Sequence, residues 1–183
     1  MLNKLIRIGF ISTTLLLLGG CGIPATPVDM IKPPLSETSI QRDKINHELI
    51  KLLPEEVQLL VPTQGKDGND ISFGDMDGDG IDEAVVVYEE NKATGKMLKA
   101  ALFKQDNEEW QMVSEVKGFG YGLEYAGFPD IDQDGRSELV LGWSLGAAGN
   151  GLDIYGLSED KLKLLSKEEY HGKFDLEYPS QGM

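Results

Sequence analysis

One acidic loop occurs twice in this chain, and that repetition constrains the fold more than any other feature. Phe73 to Tyr88 reads F-G-D-M-D-G-D-G-I-D-E-A-V-V-V-Y, and Phe128 to Trp143 reads F-P-D-I-D-Q-D-G-R-S-E-L-V-L-G-W. The copies lie 55 residues apart, and Asp75, Asp77, Asp79, Gly80 and Glu83 correspond to Asp130, Asp132, Asp134, Gly135 and Glu138. A fold that accommodates one copy must present the same local environment a second time.

Carboxylates at loop positions 1, 3, 5 and 9, with glycine at position 6, form a donor set for a hard cation. Calcium takes six to eight oxygens, and a tight turn brings alternate side chains and the position 7 carbonyl, here that of Ile81 or Arg136, to one point. Glycine at position 6 permits the turn because it accepts positive φ without a Cβ clash. Two bare carboxylates about 4 Å apart repel by roughly 1 kcal/mol even at the dielectric of water. Asp75, Asp77, Asp79 and Glu83, and equally Asp130, Asp132, Asp134 and Glu138, therefore converge most readily around a cation. The expectation is two calcium ions, one per loop, each bound independently.

An EF-hand would carry a bidentate glutamate at position 12 and helical flanks. Position 12 is instead Val86 or Leu141, within the apolar runs Ala84 to Tyr88 and Leu139 to Trp143, which read as buried strands. An Asp-x-Asp-x-Asp-Gly loop with an acidic ninth residue, led by Phe-Gly or Phe-Pro and feeding a buried strand, resembles the FG-GAP or VCBS repeat of integrin-type β-propellers. The resemblance implies calcium in each loop, a propeller-like blade around each copy, and a binding function at a cell surface.

The chain begins with an address. Lys4 and Arg7 precede the apolar stretch Ile8 to Leu18, which is too short for a comfortable membrane span and is followed by small residues. Leu18-Gly19-Gly20-Cys21 resembles the bacterial lipobox, which implies cleavage before Cys21 and lipidation of its sulfur. Residues 1–20 are thus expected to be a signal peptide, and 21–38, with Pro24, Pro27, Pro33 and Pro34, an extended tether. The expected location is the extracytoplasmic face of a cell membrane. Cys21 is the only cysteine, so no disulfide forms within the chain.

The chain holds 17 basic and 31 acidic residues, a formal charge of −14. Without Lys4 and Arg7 the count is 15 against 31, or −16. Such a surface repels nucleic acid and anionic headgroups. Membrane association would come from the lipid, and the remaining partners are a surface protein or a polysaccharide.

Ile45, Leu49, Leu52 and Leu53 recur at helical spacing before Pro54, predicting one amphipathic helix over about 39–53, packed on the domain edge or on a partner. His47 on it reads as a surface residue. Val57 to Val61, Met97 to Phe103, Trp110 to Val116, Leu152 to Tyr155 and Leu162 to Ser166 read as strands, with turns at 105–107 and 158–160. With the strands after each loop, this gives three to four strands per repeat, over about 57–117 and 118–170, the size of a propeller blade. Phe174 to Glu177 resembles the lead-in to a third blade. Two repeats cannot close a ring, so the reading is a mainly β, partial propeller-like domain over 39–183.

Two motifs suggest other chemistry. Gly118-Phe119-Gly120-Tyr121-Gly122 has no following lysine or helix, so it reads as an inter-blade loop with aromatic packing rather than a phosphate cradle. Gly142-Trp143-Ser144-Leu145-Gly146 matches the nucleophile elbow G-x-S-x-G, with Asp153 or Asp160 and His171 downstream. The elbow requires a helix after the serine, whereas the stretch from Ala147 to Gly151 reads as a loop. Ser144 is therefore not expected to be a nucleophile, and no catalytic residue is assigned. The functional expectation is a calcium-stabilised surface module that binds protein or glycan. The alternatives are an accessory subunit completing a propeller with another chain and, last, a serine hydrolase.

Overall fold

The computed structural model describes residues 37–64, 70–93 and 95–172. The signal peptide, Cys21 and most of the tether lie outside the described residues, as do Phe174 to Glu177. The described residues from 40 onward cluster as one compact unit. The fold is mainly β, with two antiparallel sheets and one helix, and none of the described helices is long and apolar enough to cross a membrane.

The helix α1 spans Glu37–Lys51, followed by strands β1 (Val57–Leu59), β2 (Ile71–Gly74), β3 (Glu83–Lys92), β4 (Gly95–Asp106) and β5 (Glu109–Lys117). The second sheet contains β6 (Gly122–Gly127), β7 (Leu139–Ser144), β8 (Asn150–Ser158) and β9 (Lys161–Tyr170). In the first sheet, β2, β3, β4 and β5 form an up-and-down meander, and β1 pairs with the same edge of β3 further along it. In the second, β6 to β9 form another such meander in chain order. The two acidic loops therefore occupy the same place, each joining the first and second strands of a four-stranded meander.

The apolar runs explain the layering. A strand buried on both faces reads as a continuous hydrophobic stretch rather than an alternation. Along β3, Val85 and Val87 face the second sheet, while Ala84, Val86 and Tyr88 face the other way. Between the sheets, Val85, Val87, Ala100 and Leu102 meet Leu123, Leu139, Leu141, Trp143 and Tyr155. On the far side of the first sheet, Leu49 and Leu53 of the helical segment pack with Ile71, Tyr88 and Phe103. Three layers result: helix, sheet and sheet.

The helix position corrects the expectation of edge packing, because it covers a sheet face. Ile45, Leu49 and Leu53 repeat every four residues and lie on one stripe. Leu52 falls off that stripe and is 43% exposed. His47 is exposed. The β4–β5 and β8–β9 turns each close with two successive positive-φ residues, Asn107 with Glu108 and Glu159 with Asp160, the geometry that matches strand twist in a two-residue connection.

The glycine-rich segment between the repeats is pinned at both ends. Gly118 N–H donates to the Leu98 carbonyl and Tyr121 N–H to the Ser144 carbonyl, each at 2.8 Å. At Gly120, where φ is +80°, a Cβ would lie 2.2 Å from the Ser144 carbonyl oxygen, so only glycine allows this approach.

Candidate metal centre

The loop backbone is shaped by its own carboxylates. In the first copy, Asp75 Oδ2 accepts the Gly80 N–H at 2.9 Å, Asp77 Oδ1 that of Asp79 at 3.1 Å, and Asp79 Oδ1 that of Ile81 at 2.8 Å. In the second, Asp130 accepts from Gly135 at 3.0 Å, Asp132 from Asp134 at 3.1 Å, and Asp134 from Arg136 at 2.9 Å. Glu83 and Glu138 reach back to the backbone N–H of Met76 and Ile131, both at 2.8 Å. Short aspartate side chains favour such local bonds over a helix or strand ladder. Gly80 and Gly135 carry φ of +83° and +90°, as the turn requires.

Asp75, Asp77 and Glu83 form one cluster, and Asp130, Asp132 and Glu138 the other, each with carboxylate oxygens within 4.8 Å of one another. That span suits calcium: oxygens at 2.3 to 2.6 Å from a common centre are separated by at most about 5 Å. Burial, reinforced by the neighbouring aspartates, pushes the Glu83 and Glu138 carboxyls up. Bringing three oxygen donors together at the edge of a hydrophobic core fits a cation that would neutralise them.

The predicted fifth-position ligands sit differently. Asp79 and Asp134 are not among the clustered carboxylates. Asp134 Oδ2 accepts hydrogen bonds from Arg136 Nε at 3.1 Å and Nη2 at 2.5 Å, which hold its carboxyl low. Ile81 and Arg136 stand at position 7 as expected, and the Ile81 side chain is exposed.

The first loop has a basic residue that the repeat pattern did not identify. Lys104, near the end of β4, pairs its ammonium with Asp77 and lies 3.9 Å from Asp79 Oδ2. Burial is the largest influence on the Asp77 carboxyl and raises it, but the hydrogen bonds from Lys104 and from Asp79 together with the Lys104 charge outweigh it, and the net shift is downward. The bond with Asp77 in turn raises Lys104. Its only sequence signal is a lysine directly after the apolar run Ala100 to Phe103, in a strand that returns alongside β3.

The two loops touch. Ser137 N–H donates to the Asp75 carbonyl at 2.8 Å. A Cβ on Gly78 would lie 3.1 Å from Arg136 Cγ, and one on Gly74 only 2.2 Å from Phe128 Cβ. Thus the Phe-Gly lead-in of one copy packs directly on the Phe-Pro lead-in of the other.

Ser144 ends β7, and the segment after it is a three-residue 3-10 turn, Gly146–Ala148, in place of the α-helix of a nucleophile elbow. Its hydroxyl accepts a long bond, 3.4 Å, from the Gly146 N–H. A Cβ on Gly149 would meet His171 Nδ1, so that imidazole stands against the far end of the turn. Comparison with protein-family models, curated proteins and solved structures finds no match.

Proposed function

We propose that each loop binds one calcium ion and that the chain is a calcium-stabilised binding module, anchored through lipidated Cys21 on the extracytoplasmic face of a membrane. The observation that carries this reading is the same three-carboxylate cluster built twice, with four matching side-chain-to-backbone hydrogen bonds in each copy. The loop pattern resembles FG-GAP and VCBS repeats. Two four-stranded meanders packed face to face, with corresponding loops adjacent, support two propeller-type blades. The ligand is a surface protein or a polysaccharide, and the acidic surface disfavours nucleic acid.

Calorimetric titration of the full chain with calcium tests the first step. Two equivalents should bind, with dissociation constants on the order of 0.1 to 1 mM for an extracellular module. At ten times such a constant each site would add about 1.4 kcal/mol of stability. Asp75→Asn and Asp130→Asn should each remove one equivalent. A melting temperature indifferent to chelator, with no heat of binding at millimolar calcium, would sink the reading. Mass spectrometry of the mature N-terminus tests the anchor: a diacylated Cys21 is expected, and an unmodified cysteine would exclude it.

A further inference from the structure

We propose that the exposed Tyr121 ring is a stacking platform for a neutral polysaccharide, with the His171 imidazole across the β7–β8 turn meeting the sugar hydroxyls. The inference rests on the surface-binding reading above and commits it to one ligand class and one place. Tyr121 is 84% exposed, more than any other large hydrophobic residue among the described ones. Single exposed apolar side chains are ordinary on a surface, but this one is mounted on a backbone that glycine makes possible. Gly120, at φ +80°, lets the next residue bring its N–H to the Ser144 carbonyl. Gly146, at φ +66°, carries the turn beneath the ring, and a Cβ there would lie 3.5 Å from Tyr121 Cδ2 and Cε2. Gly149, at φ +105°, seats the other ring, since its Cβ would lie 2.6 Å from His171 Nδ1. The Leu145 N–H closes the turn on the Gly149 carbonyl at 2.9 Å. Binding residues concentrate on such loops held by a rigid sheet, and a ring fixed in advance loses less freedom when a ligand arrives.

Local chemistry selects the ligand. No charged residue lies between Lys117 and Glu124 or between Glu138 and Asp153, in a chain of formal charge −14. Within those two stretches Tyr121 is the one exposed large apolar side chain, and the exposed turn Gly146–Ala148 carries only glycine and alanine. That is too little for a protein interface, whose core gathers several buried anchors. A pyranose fits it better. The C–H bonds on one face of the sugar carry partial positive charge and lie on the electron-rich face of an aromatic ring. Its hydroxyls need donors and acceptors, and an imidazole offers both. An anionic glycan is repelled by the acidic surface. Tyr121 precedes β6 and exposed His171 follows β9, three strand spacings or about 14 Å apart along the sheet end, so the pair addresses a sugar chain rather than a single ring. The second acidic loop joins Gly127 to Leu139 at the opposite end of the same strands, so this face needs no metal ion of its own.

The test is saturation-transfer NMR of the full chain in a polyoxyethylene detergent, which carries no sugar, with cellohexaose, maltohexaose, mannohexaose and chitohexaose as probes and hexagalacturonate as the anionic comparison. At least one neutral probe should bind with a dissociation constant on the order of 1 mM. Tyr121→Ala should weaken it about tenfold or more, Tyr121→Phe should stay close to wild type because the ring is kept, and His171→Ala should cost about fivefold. Leu165→Ala, exposed elsewhere on β9, should change nothing. Circular dichroism of each variant checks that the fold is kept. No transfer to any neutral probe at about 10 mM, tighter binding of hexagalacturonate, or binding that survives Tyr121→Ala would each overturn the proposal. A calcium titration of the same sample separates the two readings. Two equivalents of calcium with no neutral sugar bound would sink this inference alone, and sugar binding without calcium uptake would support it while sinking the metal reading.

Discussion

The backbone N–H of Ser137 in the second acidic loop donates to the carbonyl of Asp75 in the first, at 2.8 Å. Asp75 is also the first carboxylate of its own cluster, and Ser137 directly precedes Glu138 of the other. A cation that fixes one loop therefore fixes a hydrogen-bonding partner of the second. The bond gives two occupied loops a route for coupling, against which the expectation of independent sites can be tested. Positive coupling on the order of 1 kcal/mol, or about fivefold in affinity, is expected. The affinity of the first loop measured alone in Asp130→Asn should fall below its value in the wild type by that factor. By linkage the second loop in Asp75→Asn should show the same loss. Equal affinities in wild type and both variants would show that the bond transmits nothing.

Position 4 of the loop carries backbone strain in one copy only. Gly78 adopts φ of +79° where glycine is at ease, whereas Gln133 adopts +61°. A left-handed residue with a Cβ costs roughly 1 to 2 kcal/mol, and glycine returns part of that through its greater unfolded-state entropy. Gln133→Gly should therefore stabilise the chain by about 0.5 to 1 kcal/mol, read as a raised melting temperature. A lowered melting temperature would mean that the Gln133 side chain holds the loop in a way the hydrogen bonds do not reveal.

Periodicity revealed the strands and the helix because burial imposes it. The continuous run Ala84 to Tyr88 was legible as a strand, since both its faces are covered and no polar alternation interrupts it. β2 and β6 were not, because Ile71–Gly74 and Gly122–Gly127 are short, half-buried and glycine-containing, and acquire their ladder only from the strands after each loop. The helix was legible, but the face it covers was not, because a stripe of Ile45, Leu49 and Leu53 specifies an apolar partner without naming it. Within the site, local spacing identified the carboxylates. Lys104 enters from a neighbouring strand, and the Ser137 bond joins residues 62 positions apart, so neither leaves a local pattern.

Acid should expose a second electrostatic feature, away from the loops. Glu115 on β5 accepts hydrogen bonds from the Tyr88 hydroxyl and from Lys99 Nζ. Burial would push its carboxyl up, but these two bonds outweigh it and the net shift is downward from 4.5. Hydrogen bonds from Lys99 and Lys92 likewise hold Glu90 low. A carboxyl depressed on folding contributes stability that is complete above its unfolded value and is lost as pH falls through its folded one. In chelator, wild type and Glu115→Gln should therefore differ in stability at neutral pH and converge as the pH drops below about 4.5. A difference that stays constant down to pH 2 would assign the effect to packing rather than charge.

Lys104 should set the affinity of the first loop. Its ammonium pairs with Asp77, a clustered carboxylate, and so offers the loop a positive charge in place of a metal. The second loop directs its own cation, Arg136, onto Asp134, outside the clustered three. A calcium ion entering the first loop must share Asp77 with Lys104 and meets a like charge, which for a divalent ion about 4 Å away costs roughly 2 kcal/mol at the dielectric of water. Lys104→Met keeps the length of the side chain and removes the charge. It should tighten calcium binding at the first loop by up to about thirtyfold, while lowering stability in chelator because Asp77 loses its counter-ion. Measured in Asp75→Asn, where the second loop alone binds, the same substitution should leave the affinity unchanged. Lys104→Arg, which retains the charge, should stay close to wild type at both loops. Weaker calcium binding in Lys104→Met would mean that Lys104 organises the site rather than competing for it, and equal shifts at both loops would point to a general change in surface charge.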